Sequence, residues 1–198
     1  MSEESKIIVN WSDRFELKDF ANGEHRDSLK NKGGLYLWVR KIDDEVWYVG
    51  ETGDYLSRFR EHFLMQIGGG YWAFDLTKVQ QDWSGEYEPT RDNIFNFMAS
   101  KDQLMRRVEK AYAMFEHSYF LIGEMENNFP GNESASSIRK SAEGQIIEVL
   151  RNKHAKYPNR AFLETIFGKI SRHYDGKQEF IHNGEYASLA NTILGRLS

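Results

Sequence analysis

Cysteine is absent from the 198 residues, so disulfides, thiolate zinc sites, iron–sulfur clusters and cysteine nucleophiles are all excluded. The six histidines (His25, His62, His117, His154, His173 and His182) include no close pair at ligand spacing and no His-Glu-x-x-His, which argues against a histidine-built zinc site. Any metal is then expected to be a hard cation on oxygen ligands. No apolar run approaches the length of a membrane span, and the start, Met1-Ser2-Glu3-Glu4-Ser5-Lys6, has neither the basic opening nor the hydrophobic stretch of a secretion signal. The expected setting is cytoplasmic, with no membrane partner. No internal repeat, low-complexity tract or Pro/Ser-rich linker divides the chain, and its length favours one domain with elaborations.

Hydrophobic residues make up 40% and charged residues 28%, an ordinary globular composition that can bury a core. The net charge of −4 excludes a protein coated in positive charge for indiscriminate DNA binding. Its distribution is uneven. Between residues 139 and 160 stand Arg139, Lys140, Arg151, Lys153, Lys156 and Arg160 against only Glu143 and Glu148. Such a stretch is either a solvated helix face or a surface for phosphates.

After the probable loop Lys30-Asn31-Lys32-Gly33-Gly34, residues 35–39 and 46–49 are dense in aromatic and β-branched side chains and joined by a polar connection. They predict an antiparallel hairpin, apolar on both faces and central in a covered sheet. Asp54 is a plausible N-cap for a helix to about residue 66, packed through Tyr55, Leu56, Phe59 and Phe63 and ended by Gly68-Gly69-Gly70. Arg58 and His62 share one face of it. Residues 71–90 have no clear periodicity. Ser100 and Gln103 have the form of a capping box ahead of a helix through Leu104, Val108, Tyr112 and Phe115. A third strand is predicted over 119–122 and a helix over 137–152; a turn at Asn183-Gly184 precedes an amphipathic terminal helix using Tyr186, Leu189, Ile193 and Leu197.

Glu143 precedes Ile146, Ile147 and Leu150 at helical spacing, so its carboxylate projects along the buried stripe. A carboxylate there needs compensation. An ion pair with Arg139 or Lys140, a route to water at the helix edge, or a metal would each provide it. Tyr36 and Tyr48, taken singly, read as core aromatics of their strands.

In combination these residues resemble the GIY-YIG nuclease superfamily. The likeness rests on Gly34-Leu35-Tyr36, on Tyr48-Val49-Gly50, on Arg58 ten residues past Tyr48 with His62 one turn on, on Glu143 leading into Ile146-Ile147, and on Asn159 after Pro158. It covers residues 33–66 and 117–160. Leucine and valine replace the middle isoleucines of the two motifs, and residues 67–116 form an insertion longer than a minimal module carries. The resemblance implies an α/β (α+β) fold with a small, mostly antiparallel sheet of about three strands flanked by helices, plus a helical insertion, an N-terminal leader (1–32) and a C-terminal extension (161–198). It implies a DNA endonuclease of restriction, repair or mobile-element type, with RNA as a further possible substrate and a homodimer as a possible assembly. Glu143 would hold Mg²⁺, with Mn²⁺ as substitute; Arg58 would grip the phosphate; His62 would assist at the phosphate or in proton transfer. Tyr36 would be the general base, helped by nearby positive charge because a free tyrosine titrates near about 10. Tyr48 would position it and Asn159 would order the site, while Arg60, Arg139, Lys140, Arg151, Lys153, Lys156 and Arg160 would contact nucleic acid. The competing expectation is a nucleic-acid-binding module that keeps the fold without catalysis.

Overall fold

The computed structural model describes residues 6–42, 44, 46–68, 73–74, 87–88, 100–125, 134–154 and 179–183. In chain order the elements are β1 (Lys6–Phe15), α1 (Leu17–Ala21), α2 (Gly23–Ser28), β2 (Gly34–Arg40), β3 (Val46–Thr52), α3 (Tyr55–Ile67), the short β4 (Ala73–Phe74) and β5 (Tyr87–Glu88), α4 (Lys101–Glu116), β6 (Ser118–Met125), α5 (Ala135–His154) and β7 (Glu179–Asn183).

The architecture is α+β, with an open, mostly antiparallel sheet of five strands in the order β3-β2-β6-β1-β7, flanked by helices. The expected sheet of about three strands is corrected here. The antiparallel trio β3-β2-β6 is present, but the leader adds β1 against β6, and the extension adds β7, parallel to β1. Ile7, Val9 and Trp11 alternate into the core, which is the period of a strand with one face well covered. β4 and β5 form a separate two-stranded ladder within the insertion.

β2 is buried at every position, as a strand apolar on both faces must be. Cross-strand partners share a face of a sheet, so the registers Tyr36↔Gly50 and Trp38↔Tyr48 place Tyr36, Trp38, Tyr48 and Gly50 on one side. α3 and α4 cover that side: the Phe59 ring stacks on Phe120 at 4.3 Å, and Trp38 stacks on Phe115 at 5.0 Å. The register Leu35↔Glu51 marks the opposite side, where α5 packs across β3 and β2 and Arg139 meets Glu51. β3 is the edge strand of the five-stranded sheet.

Local chemistry fixes α3 against the sheet. Its N-cap Asp54 accepts from the Ser57 backbone N–H at 3.1 Å. The buried Tyr55 hydroxyl is shared between the Leu35 and Gly123 carbonyls at 3.2 and 3.0 Å. Gly68 closes α3 by donating its N–H to the Leu64 carbonyl at 2.8 Å. Ser100 does begin α4, but its side chain makes no capping hydrogen bond, so the expected capping box is absent. The predicted terminal helix lies outside the described residues, as does the Gly184 half of the predicted turn.

Two glycines of the hairpin motifs have steric reasons to be glycine. A Cβ on Gly50 would collide with the Tyr36 ring, and one on Gly34 would collide with the Tyr55 hydroxyl and the Gly123 carbonyl. Gly50→Ala is accordingly expected to destabilise the protein by about 1–3 kcal/mol and to displace the Tyr36 ring. Urea unfolding together with the tyrosine near-UV circular dichroism checks this, and an unchanged midpoint and spectrum would contradict it.

Candidate active site

Tyr36, Tyr48, Arg58 and His62 converge on the sheet face beneath α3. Their convergence follows from register and helix period: Tyr36 and Tyr48 lie two residues apart along paired strands, and Arg58 and His62 project one turn apart toward them. Arg58 donates its Nε–H to the Tyr36 oxygen at 3.0 Å and a terminal N–H to the Tyr48 oxygen at 3.2 Å. The Tyr36 hydroxyl lies 2.6 Å from His62 Nε2. The two phenol rings stack at 6.0 Å between centroids, and His62 meets Tyr48 edge-on at 5.1 Å.

Electrostatics assigns the protons in this group. Burial, and then the charge of Arg58, lower the pKa of His62 to about 3, so its imidazole is neutral near pH 7. Arginine can only donate, so the Tyr36 oxygen accepts from Arg58, and the Tyr36 hydroxyl shares a further hydrogen bond with Nε2 of the neutral His62, its direction set by the imidazole tautomer. For Arg58, burial by itself lowers the pKa. Its interactions with Tyr36 first, then with Tyr48 and Glu61, outweigh that and raise it, so the guanidinium stays charged.

Accessibility separates the two tyrosines. Tyr36 is wholly covered, whereas Tyr48 is half-buried. The phenol within reach of solvent is thus Tyr48, not the Tyr36 expected to serve as base. Glu61, one turn from Arg58, accepts a further guanidinium N–H at 2.6 Å. Its place three residues along the helix is a legible pairing signal that the sequence reading passed over.

Glu143 is buried on α5, with 4% of its surface exposed, beside Ala142 and Ile146. Its helix packs on β3 and β2 from the face opposite the tyrosines, and β3 is the edge strand of the sheet. Among the described residues no group of three or more His, Asp or Glu is arranged to hold a metal. A buried carboxylate such as Glu143 is a donor that suits Mg²⁺, which keeps several waters and takes substrate phosphate oxygens as further ligands.

The expected nucleic-acid contacts divide. Arg60 is exposed on α3 and Lys140 on α5. Arg139 instead donates its Nε–H to Glu51 at 3.2 Å in a largely covered ion pair. The backbones of Arg151 and Lys153 continue α5, but their side chains lie outside the described residues, as do Lys156, Asn159 and Arg160 altogether.

None of the protein-family models, curated proteins or solved structures compared with the chain matches it.

Neutral His62 makes stability depend on pH with a definite sign. Its folded value of about 3 lies below the ordinary value of about 6.5, so the unfolded chain binds the extra proton between them. Its contribution is complete above about pH 6.5 and is lost as pH falls toward 3, at no more than about 1.4 kcal/mol per pH unit. Unfolding free energies from pH 7.5 to 4 should therefore fall less steeply in His62→Gln than in the wild type. Parallel curves would contradict the neutral assignment.

Proposed function

We propose that the protein is a divalent-metal-dependent endonuclease that hydrolyses phosphodiester bonds in DNA, of the GIY-YIG type. The observation that carries this reading is the hold of one charged guanidinium on two phenol oxygens, one of them also bonded to a neutral imidazole. A phosphodiester hydrolase needs a cation at the phosphate, a group that takes a proton from water, and a partner for the departing oxygen.

Arg58 has five N–H donors, of which Tyr36, Tyr48 and Glu61 take three. Two remain for phosphate oxygens, in the planar fork that suits them. Tyr48, the phenol open to solvent, acts as a phenolate held by the charge of Arg58: its oxygen orients the attacking water and takes one proton from it, becoming the neutral phenol as the hydroxide adds to phosphorus. Tyr36 anchors Arg58 from below as an acceptor, and His62 holds the Tyr36 hydroxyl in place through a further hydrogen bond. Glu143 would hold Mg²⁺ or Mn²⁺, which supplies neutralisation of charge on the phosphate. Restriction or repair is the role in which such an enzyme would act, and a homodimer is the assembly that would cut both strands.

The complete burial of Tyr36 favours a second reading, in which the same network is only the core of a DNA-binding module. Cleavage separates the two. Purified protein with Mg²⁺ should nick or cut members of a panel of duplex and branched DNAs. Glu143→Gln and Arg58→Ala should each lower the rate by on the order of 100-fold or more, with DNA binding retained in Glu143→Gln. A wild type that binds DNA with steep salt dependence yet cuts none of the panel would establish the module instead.

A further inference from the structure

The Glu51–Arg139 pair joins two elements far apart in sequence at a place the proposed reaction depends on. Arg139 Nε donates to the Glu51 carboxylate at 3.2 Å across 88 residues, and the two side chains are only 17% and 15% exposed. Glu51 stands three residues past Tyr48 on the edge strand β3. Arg139 lies one turn before Glu143 on α5, about 6 Å along the helix axis, and four residues apart on a helix means one shared face.

Ile138, Ala142, Ile146 and Ile147 of α5 are buried in the apolar core and also hold the helix. Apolar burial resists separation of the layers, but it is non-directional and resists sliding weakly. A charge-assisted hydrogen bond has a set length and direction. Of these contacts, the ion pair is the directional one, and it ties the helix to Glu51 of β3.

Resting on the nuclease reading, we propose that Glu51 and Arg139 are positioning residues: they set the place of Glu143 along the β3 edge relative to Tyr48 and Arg58, and Arg139 contacts no phosphate. This reverses the expectation that Arg139 belongs to the DNA-binding basic stretch. Its guanidinium is spent inside the fold, while the neighbouring Lys140 faces solvent.

Binding and rate respond differently to the two roles. An arginine that neutralises a phosphate contributes about 0.9 to the slope of log affinity against log salt. A positioning arginine leaves that slope alone, and a misplacement of about 1 Å can cost on the order of 100-fold in rate. The test uses the full chain as wild type, Glu51→Gln, Arg139→Gln, Arg139→Lys and the reversed pair Glu51→Arg/Arg139→Glu. Single-turnover cleavage of a duplex is measured with Mg²⁺ at saturating protein, and binding of the same duplex is measured with Ca²⁺ over a salt series.

Expected are cleavage rates lowered on the order of 10- to 100-fold in both glutamine variants, an intermediate rate for Arg139→Lys, partial recovery in the reversed pair, and one salt slope throughout. An Arg139→Gln protein that cuts at the wild-type rate but loses about one phosphate from its slope overturns the proposal. Should Arg139→Gln fail to fold, Arg139→Lys decides: a wild-type rate in that variant also overturns it. A wild type that cuts no DNA overturns the nuclease reading itself, whereas a cutting wild type beside equally active variants removes the positioning role alone.

Discussion

Arg58 donates to Tyr36 and Tyr48 at once, and that doubled hydrogen bond organises the whole arrangement beneath α3. A guanidinium in a half-buried place is costly unless its donors are satisfied. Here two phenol oxygens and the Glu61 carboxylate satisfy three of them, and the positive charge is in turn one reason why His62 is neutral. The neutral His62 in turn shares a hydrogen bond with the Tyr36 hydroxyl, whose oxygen faces Arg58. Each member thus sets the state of the next, and the cycle closes on the guanidinium.

The sheet is what makes that cycle possible. Pairing Tyr36 with Gly50 lets the phenol ring lie over a residue that has no side chain, and pairing Trp38 with Tyr48 brings the second phenol alongside. Phe59 and Phe120 stack beneath, so the polar cluster is backed by aromatic core. On the other face, α5 carries Glu143 and is tied to β3 through Glu51. In the proposed reaction the edge position of β3 matters, since an interior strand would wall the carboxylate off from the phenols.

Much of this was legible in the chain because the signals are local. The hairpin, the Asp54 cap and the Arg58/His62 face depend on neighbours within a few residues, and β2, β3 and α3 lie where strand and helix periods put them. β1 is equally legible in the alternation of Ile7, Val9 and Trp11, although it precedes the segment that carries the family likeness. The long-range facts were not legible. Nothing near Arg139 reveals that its partner is Glu51, 88 residues earlier, so a basic run read as DNA-binding surface holds a structural ion pair. Nor does strand pattern tell which phenol keeps access to solvent; that depends on how α3 lies over Tyr36.

The central claim is that Glu143, Tyr48 and Arg58 serve one phosphate around the edge of β3. Anomalous diffraction from crystals of the protein with Mn²⁺ and a short duplex tests it most directly. The account predicts a manganese peak on the Glu143 carboxylate, with the bound phosphate touching both the metal and Arg58 and a water between metal and the Tyr48 oxygen. Manganese bound elsewhere, or Glu143 turned from the edge with phosphate absent from Arg58, would contradict it.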